Sequence, residues 1–277
     1  MAANGTTRIA HAFRRARARK QRALIPFIMG GDPDLKRTCA LVEALSLAGA
    51  DIIEVGVPFS DPLADGPVIQ RAADRALASG TTPDRLLRAL SRVTARIDTP
   101  VVLLSYWNPI LQFSNGHAAP SPSAFVAAAG RAGIAGAIVP DLSAEEGVSW
   151  HRDTARAGFA TMFLAAPTSS PDRLRRIAQL SSGFVYYVSL LGTTGVRTAL
   201  SNEWADGVKR LRAVTSKPIC VGFGISTPQH AAQVAREADG VIIGSAVVRA
   251  IESAAKMSSH SLARHMTAWL RPFRKVV

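Results

Sequence analysis

Two kinds of residue in this chain could do chemistry together: carboxylates early in the sequence and glycines late in it. Glu54 lies within an apolar, β-branched segment, 51–57, that predicts a buried strand, where an ionised carboxylate is costly without a partner or a task. A loop with three prolines follows and carries Asp61 and Asp65. This arrangement suits acid–base catalysis at a strand end. An ion pair would explain Glu54 as well, and turn or helix capping would explain Asp61 and Asp65.

Three glycine-containing segments each follow a predicted strand in the last third of the chain. They are Gly192-Thr-Thr-Gly195, Gly222-Phe-Gly224 and Gly244-Ser245. Glycine lets backbone N–H groups approach an anion closely, and a helix N-terminus adds a favourable dipole. One such segment would indicate only a turn, but three at corresponding positions predict a phosphate-binding site. Neither a Walker sequence nor a complete dinucleotide-binding fingerprint is present, so no nucleotide is implied.

The elements that would position these groups alternate regularly. We predict eight short apolar strands separated by helices, at 24–29, 51–57, 100–106, 135–139, 160–165, 183–190, 217–221 and 240–243. This alternation calls for parallel strands with right-handed crossovers, and eight units call for an α/β fold closed into a (β/α)8 TIM barrel. A doubly wound open sheet is the structural alternative. In a barrel the reacting groups lie at the C-terminal ends of the strands.

The length and composition agree with one such domain. A chain of 277 residues is close to the ~250 residues typical of this barrel, and no linker or compositional break divides it. We therefore predict a single domain over 1–277. An extra amphipathic helix is expected at about 7–21, and extra helices are expected after strands two and eight, the last at about 260–270.

Other features of the sequence argue against several classes of protein. The six histidines and two cysteines show no metal-binding spacing, so no metal is predicted. Neither a secretory signal nor an apolar run long enough to span a membrane is present, and a cytoplasmic protein is expected. The net charge of +13 comes largely from basic residues near both ends. Without aromatic interleaving or a nucleic-acid-binding motif, we interpret this charge as a solvated basic surface and expect no nucleic-acid partner.

Several of these motifs together are similar to those of one enzyme family. The segment Pro58-Phe-Ser-Asp-Pro-Leu-Ala-Asp-Gly-Pro67, preceded by Glu54-Val-Gly, resembles the signature of the tryptophan synthase α subunit, the indole-3-glycerol-phosphate aldolase. The similarity continues in order through Tyr106-Trp-Asn-Pro109, Ala165-Ala-Pro-Thr168 and the glycine segments. It implies a retro-aldol cleavage of indole-3-glycerol phosphate to indole and glyceraldehyde 3-phosphate, without a cofactor in this chain.

The resemblance also implies roles for individual residues. Glu54 corresponds to the family's general acid and base, and Asp65 to a second catalytic carboxylate that stabilises positive charge on the indole nitrogen. Tyr186 corresponds to a tyrosine beside the reacting centre; strand alternation alone leaves the choice between Tyr186 and Tyr187 open. The remaining substrate-binding positions are Phe27 and Leu104 for indole, Thr194 on the mobile loop, and Gly195, Gly224, Gly244 and Ser245 for phosphate.

The family normally acts beside a β subunit that holds pyridoxal phosphate, in an α2β2 heterotetramer. The resemblance implies that the loop containing Pro58 and Asp61 faces that partner and that the indole serves tryptophan biosynthesis. A free-standing indole-3-glycerol-phosphate lyase shares all of these motifs and is the nearest alternative. A non-catalytic barrel or a basic binding protein is a further alternative, against which the presence of Glu54, Asp65 and the glycines argues.

Overall fold

Parallel strands alternate with helices throughout the part of the chain that the structure describes. The computed structural model describes residues 4–114, 119–188, 203–222 and 224–277, and nine strands in this part form one sheet. The strands are β1 (Ala23–Met29), β2 (Ile53–Gly56), β3 (Val101–Leu104), β4 (Ile134–Ile138), β5 (Ala160–Met162), β6 (Leu164–Ala165), β7 (Val185–Val188), β8 (Ile219–Gly222) and β9 (Gly240–Ile243).

The sheet curls into a barrel with the strand order β5-β4-β3-β2-β1-β9-β8-β7-β6. The two outermost strands, β5 and β6, are consecutive pieces of one segment separated only by Phe163. Because β5 pairs with β4 and β6 pairs with β7, this bent segment closes the barrel. The predicted fifth strand is therefore present but divided, since its two halves pair with different neighbours. The TIM barrel is confirmed, and the open doubly wound sheet is wrong.

Twelve helices lie in the described part of the chain, most of them between consecutive strands. They are α1 (Gly5–Ala18), α2 (Leu35–Leu47), α3 (Pro67–Ala78), α4 (Pro83–Thr94), α5 (Trp107–Leu111), α6 (Pro122–Arg131), α7 (Val148–Arg156), α8 (Pro171–Leu180), α9 (Glu203–Arg212), α10 (Pro228–Ala235), α11 (Ser245–Ser253) and α12 (Ser259–Val276). Thr82 caps the start of α4, because its hydroxyl accepts a hydrogen bond from the Arg85 backbone N–H at 3.3 Å.

The helices α5 and α12 differ most from the sequence prediction. The short helix α5 is an additional helix after β3, whereas extra helices are expected only after strands two and eight. The backbone N–H at its first residue, Trp107, donates to the Asp141 carboxylate at 2.8 Å. The last helix, α12, continues beyond the predicted end at about 270 and passes through Pro272 to Val276. It continues because Phe273 is buried there, a contact that outweighs the unfavourable proline.

The helix α1 closes the N-terminal end of the barrel. It begins and ends slightly earlier than the predicted 7–21. Its residues Ile9, Ala12 and Phe13 belong to the same apolar cluster as the inward-facing residues of the strands. The rings of Phe13 and Phe184 meet edge to face, with centroids 6.0 Å apart. The C-terminal ends of the strands, where a barrel places its reacting groups, therefore lie at the end opposite to α1.

Several of the terminal arginines are bound to carboxylates beside the strands. The buried carboxylate of Asp51 forms ion pairs with Arg274 at 2.6 Å and with Arg19 at 2.5 Å. It also accepts a hydrogen bond from the Leu24 backbone N–H at 2.9 Å. Asp239 binds Arg17 in the same way at 3.3 Å. Part of the basic charge near the chain ends therefore fastens α1 and α12 to the barrel.

Two kinds of feature are absent from the described residues. No helix in that part of the chain is both long and apolar enough to cross a membrane. Within the same residues, no group of three or more histidine, cysteine, aspartate or glutamate side chains is arranged to hold a metal ion.

Candidate active site

Glu54 lies on β2 and is 1% exposed. Its strand neighbours Ile53 and Val55 face the surrounding helices, so its own side chain faces the barrel interior. Its Oε2 atom has no hydrogen-bond partner among the described residues. Burial, and after it the charge of Asp65, raises the pKa of Glu54 to about 8. The side chain is therefore protonated at neutral pH and can donate a proton.

Asp65 lies on the loop between β2 and α3, immediately before the residue that caps α3. Burial raises its pKa to about 6, while a hydrogen bond from the Tyr106 hydroxyl acts in the opposite direction. Asp65 is therefore mostly ionised at neutral pH while Glu54 is protonated. Two neighbouring carboxyl groups that hold different protonation states at one pH are typical of acid–base chemistry.

Tyr106 organises the loop that carries Asp65. It follows β3 and is 3% exposed, and its hydroxyl accepts a hydrogen bond from the Ala64 backbone N–H at 2.9 Å. The ring of Phe59 packs on the Tyr106 ring with centroids 5.5 Å apart. Tyr106 therefore contacts the loop both before and at Asp65. In the sequence Tyr106 stands out only as part of a motif, and its position at a strand end is the signal that indicates it.

The two tyrosines of β7 face opposite sides of the barrel wall. Tyr186 belongs to the interior cluster, and burial, followed by the charge of Glu54, raises its pKa well above the ordinary value. Tyr187 packs outward against the helices, where a Cβ built on Gly207 would lie 1.8 Å from its hydroxyl oxygen. A Cβ built on Gly222 would lie 2.5 Å from the hydroxyl oxygen of Tyr186. Of the two, Tyr186 is the neutral hydroxyl beside Glu54.

Phe27 and Leu104 form an apolar wall next to Glu54. Phe27 on β1 is in register with Glu54, and Leu104 on β3 is in register with Gly56, two residues farther along β2. A Cβ built on Gly56 would lie 2.8 Å from the Phe27 ring. Phe27 belongs to an apolar cluster that includes Ile69 of α3, and Leu104 packs against that cluster. An aromatic ring of a ligand would be favourably buried here.

The late glycines lie at the ends of the neighbouring strands β8 and β9. Gly224 has φ +72°, a left-handed conformation that favours glycine. Gly244 precedes α11, and a Cβ built on it would meet nothing within 4 Å. Ser245 is the first residue of that helix, whose first backbone N–H groups have no partner within the helix. This end of α11 can bind an anion.

Thr194 and Gly195 lie outside the described residues, so their predicted contacts with substrate stay predictions. The loop predicted to face a partner lies within the described part. Pro58 is buried and lies two residues after the end of β2. Asp61 is exposed and accepts a hydrogen bond from the Ser60 hydroxyl at 2.5 Å. Leu63 on the same loop is 93% exposed.

Comparisons with known proteins agree with one another. Residues 13–276 match the family model described as tryptophan synthase alpha chain. The tryptophan synthase alpha chain of Geobacter sulfurreducens is 42% identical over 271 residues, which cover 98% of this chain and 99% of that protein. The one from Gloeobacter violaceus is 47% identical over 249 residues, covering 90% and 88%. The crystal structure of tryptophan synthase subunit alpha from Legionella pneumophila has a TM-score of 0.86 and 37% identity, with 97% of each chain covered.

Proposed function

Because the chain belongs to the tryptophan synthase alpha chain family of lyases, we propose how its own residues cleave indole-3-glycerol phosphate. The same comparisons support the α-subunit role in L-tryptophan biosynthesis and do not favour a free-standing lyase. The reaction breaks the bond between the indole ring and the glycerol phosphate chain and gives indole and glyceraldehyde 3-phosphate. The observation that carries the proposed roles is the pair of neighbouring carboxyls, Glu54 and Asp65, with pKa values of about 8 and about 6.

Glu54 acts first as an acid. Protonated at neutral pH, it donates its proton to the indole ring carbon that bears the glycerol phosphate chain. This protonation places positive charge on the ring nitrogen, and the ionised Asp65 carboxylate stabilises that charge. Because Asp65 is mostly ionised at pH 7 whereas Glu54 is not, the two carboxyls do not compete for one role.

Glu54 then acts as a base. Its carboxylate accepts the proton of the hydroxyl group on the carbon that is attached to the ring. As that O–H bond breaks, a carbonyl group forms, the carbon–carbon bond breaks, and its electron pair returns to the indole ring. Glu54 regains the proton that it gave, so the step balances without a cofactor. We therefore assign any pyridoxal phosphate to a partner subunit.

The substrate is held at both of its ends. Phe27 and Leu104 contact the indole ring, and the neutral Tyr186 hydroxyl lies next to the reacting carbon. Gly224, Gly244 and Ser245 bind the phosphate through backbone N–H groups and the α11 dipole. By resemblance, Thr194 and Gly195 complete this binding.

We propose that the partner is a tryptophan synthase β subunit in an α2β2 assembly, bound through the loop that carries Pro58 and Asp61. The exposed Leu63 supports this proposal, because an apolar side chain at the tip of a loop suits contact with another protein. Asp65 lies on the same loop, so docking would act directly on a catalytic group.

We also propose that 1–277 works as one domain, since β1 and β9 pair and join the two ends of the chain. A cytoplasmic location remains our expectation.

The test is indole release from indole-3-glycerol phosphate by the purified chain, alone and with a tryptophan synthase β subunit from a relative. We expect slow cleavage by the chain alone and faster cleavage in a complex of the two. High activity alone without any stimulation would contradict the proposed partner. No cleavage under either condition would contradict the proposed roles of the site residues.

A further inference from the structure

The side chain of Arg75, on α3, joins two carboxylates that belong to different elements. Its Nε and Nη2 atoms donate to the two carboxylate oxygens of Asp32 at 2.9 and 2.8 Å. Its Nη1 atom donates to Oε1 of Glu252 at 2.7 Å. Asp32 lies in the loop after β1, and Glu252 lies on α11. A guanidinium that binds one carboxylate through two hydrogen bonds fixes its orientation as well as its distance.

The two halves of this bridge differ in their exposure to solvent. The side chain of Asp32 is 3% exposed, whereas those of Arg75 and Glu252 are 31% and 36% exposed. The Asp32 contact stabilises the fold, because removing Arg75 would leave a buried carboxylate without its partner and lower the free energy of unfolding strongly. The Glu252 contact is reached by water, so it contributes little to the free energy of unfolding. It joins α3 to α11, as does a longer ion pair between Arg71 of α3 and Glu252 at 3.7 Å.

The bridge connects the two helices at nearly the same distance from their N-terminal ends. Arg75 lies about 12 Å along α3 from the start of that helix, and Glu252 lies about 10 Å along α11 from its start. The start of α3 follows Asp65, and the start of α11 is the proposed phosphate site. Fixing the two helices side by side therefore fixes the distance between a catalytic carboxylate and the phosphate.

Apolar packing fills the space between the bridge and these two helix starts. Ile69 and Ala73 of α3 belong to one cluster with Val248 of α11. Phe27, the proposed wall for the indole ring, belongs to the same cluster. The indole wall, the helix α3 that follows Asp65 and the phosphate helix α11 thus form one packed unit, and Arg75 lies at its polar edge.

We propose that Arg75 is a positioning residue for the cleavage reaction. It holds the phosphate-binding end of α11 and the loop carrying Asp65 at the separation that the substrate requires; this rests on the roles proposed above for those two sites. Indole and phosphate are opposite ends of one substrate, so both reach their sites together only when this spacing is correct. A misplacement of about 1 Å costs on the order of 10²-fold in rate.

The test compares three variants of the full chain. Glu252→Gln removes the charge of one partner at nearly constant size and leaves the pair of Asp32 and Arg75 intact. Arg75→Lys keeps the charge but cannot bind both carboxylates in a forked geometry. The control is Arg96→Lys, which alters a more exposed ion pair, at 3.1 Å, between the turn after α4 and Glu43 of α2. Each variant is assayed for kcat and KM, for the dissociation constant of glycerol 3-phosphate, and for thermal unfolding.

We expect kcat/KM to fall about tenfold in Glu252→Gln and further in Arg75→Lys. Affinity for glycerol 3-phosphate should stay within about twofold of wild type, because the start of α11 is itself unchanged. Glu252→Gln should unfold at nearly the wild-type temperature, and the control should match wild type in kcat/KM and in this affinity.

Two results would overturn the proposal. The first is an unchanged kcat/KM in Glu252→Gln, or a loss no greater than in the control. The second is a loss of glycerol 3-phosphate affinity large enough to account for the whole decrease in kcat/KM. If Arg75→Lys fails to fold, Glu252→Gln decides alone, since it keeps the buried pair. Failure of the wild-type chain to cleave substrate would refute the proposed site roles instead, so the two failures are distinct.

Discussion

Replacing Glu54 by glutamine should make the folded protein more stable at alkaline pH. Burial, assisted by the charge of Asp65, raises the pKa of Glu54 from 4.5 to about 8 in the folded chain. Between these values the folded state keeps a proton on Glu54 that the unfolded chain releases. Unfolding then releases a proton, so the free energy of unfolding falls as the pH rises through this range. Below pH 4.5 both states are protonated and the effect is absent.

The size of this effect follows from the same two pKa values. The interval from 4.5 to about 8, at about 1.36 kcal/mol per pH unit, corresponds to a loss of about 5 kcal/mol in the free energy of unfolding. That is a large share of the ~5–15 kcal/mol by which a folded domain is normally stable. Glutamine has nearly the same shape and does not ionise, so the variant escapes this loss.

The assay is urea unfolding of wild type and Glu54→Gln, followed by circular dichroism from pH 4 to 9 at constant ionic strength. The variant's advantage in free energy of unfolding should grow between about pH 4.5 and 8 and stay constant above that range. The control, Glu237→Gln, makes the same substitution at an exposed side chain, and the advantage of Glu54→Gln is taken relative to it. A flat difference for Glu54→Gln would mean that Glu54 is ionised in the folded protein, and its role as an acid would be refuted.

Further measurements concern the neighbours of Glu54. The kcat/KM value should fall below about pH 6, where Asp65 gains a proton, and above about pH 8, where Glu54 loses one; a flat profile would contradict both assignments. Asp65→Asn should lower kcat roughly 10²-fold with a smaller effect on affinity, and equal turnover would remove Asp65 from the chemistry. Tyr106→Phe should raise the pKa of Asp65 and move the acid side of the profile to higher pH. An unchanged acid side would show that the Tyr106 hydroxyl does not lower the pKa of Asp65. Gly222→Ala should slow cleavage and lower Tm, because its Cβ would lie 2.5 Å from the Tyr186 hydroxyl oxygen, and wild-type values would show that Tyr186 can move freely.

Most of the barrel could be predicted because its signals are local. Short apolar strands and amphipathic helices alternate visibly along the chain, and β9 begins and ends where its pattern predicts. The parts that differ are set by distant contacts. The break between β5 and β6 depends on which strand each half pairs with, and the extension of α12 depends on the burial of Phe273.

The candidate site likewise contains residues that the sequence identifies and residues that depend on distant contacts. Glu54 is conspicuous in the sequence because a carboxylate within an apolar strand is unusual, and the loop motif identifies Asp65 by resemblance. The choice between Tyr186 and Tyr187 needs the direction of each side chain, which alternation does not give without a reference point. The bridges made by Tyr106 and Arg75 join residues 42 and 43 positions from their partners Ala64 and Asp32, and no local pattern indicates such pairs.

Cleavage of indole-3-glycerol phosphate by Glu54→Gln tests the central claim most directly, namely that one buried, protonated carboxyl gives and then regains the reaction's proton. Glutamine fills the same space but cannot transfer a proton. We predict a fall in kcat of about 10²- to 10⁴-fold, with glycerol 3-phosphate affinity and the circular dichroism spectrum unchanged. Wild-type turnover by a folded variant that still binds glycerol 3-phosphate would contradict the claim.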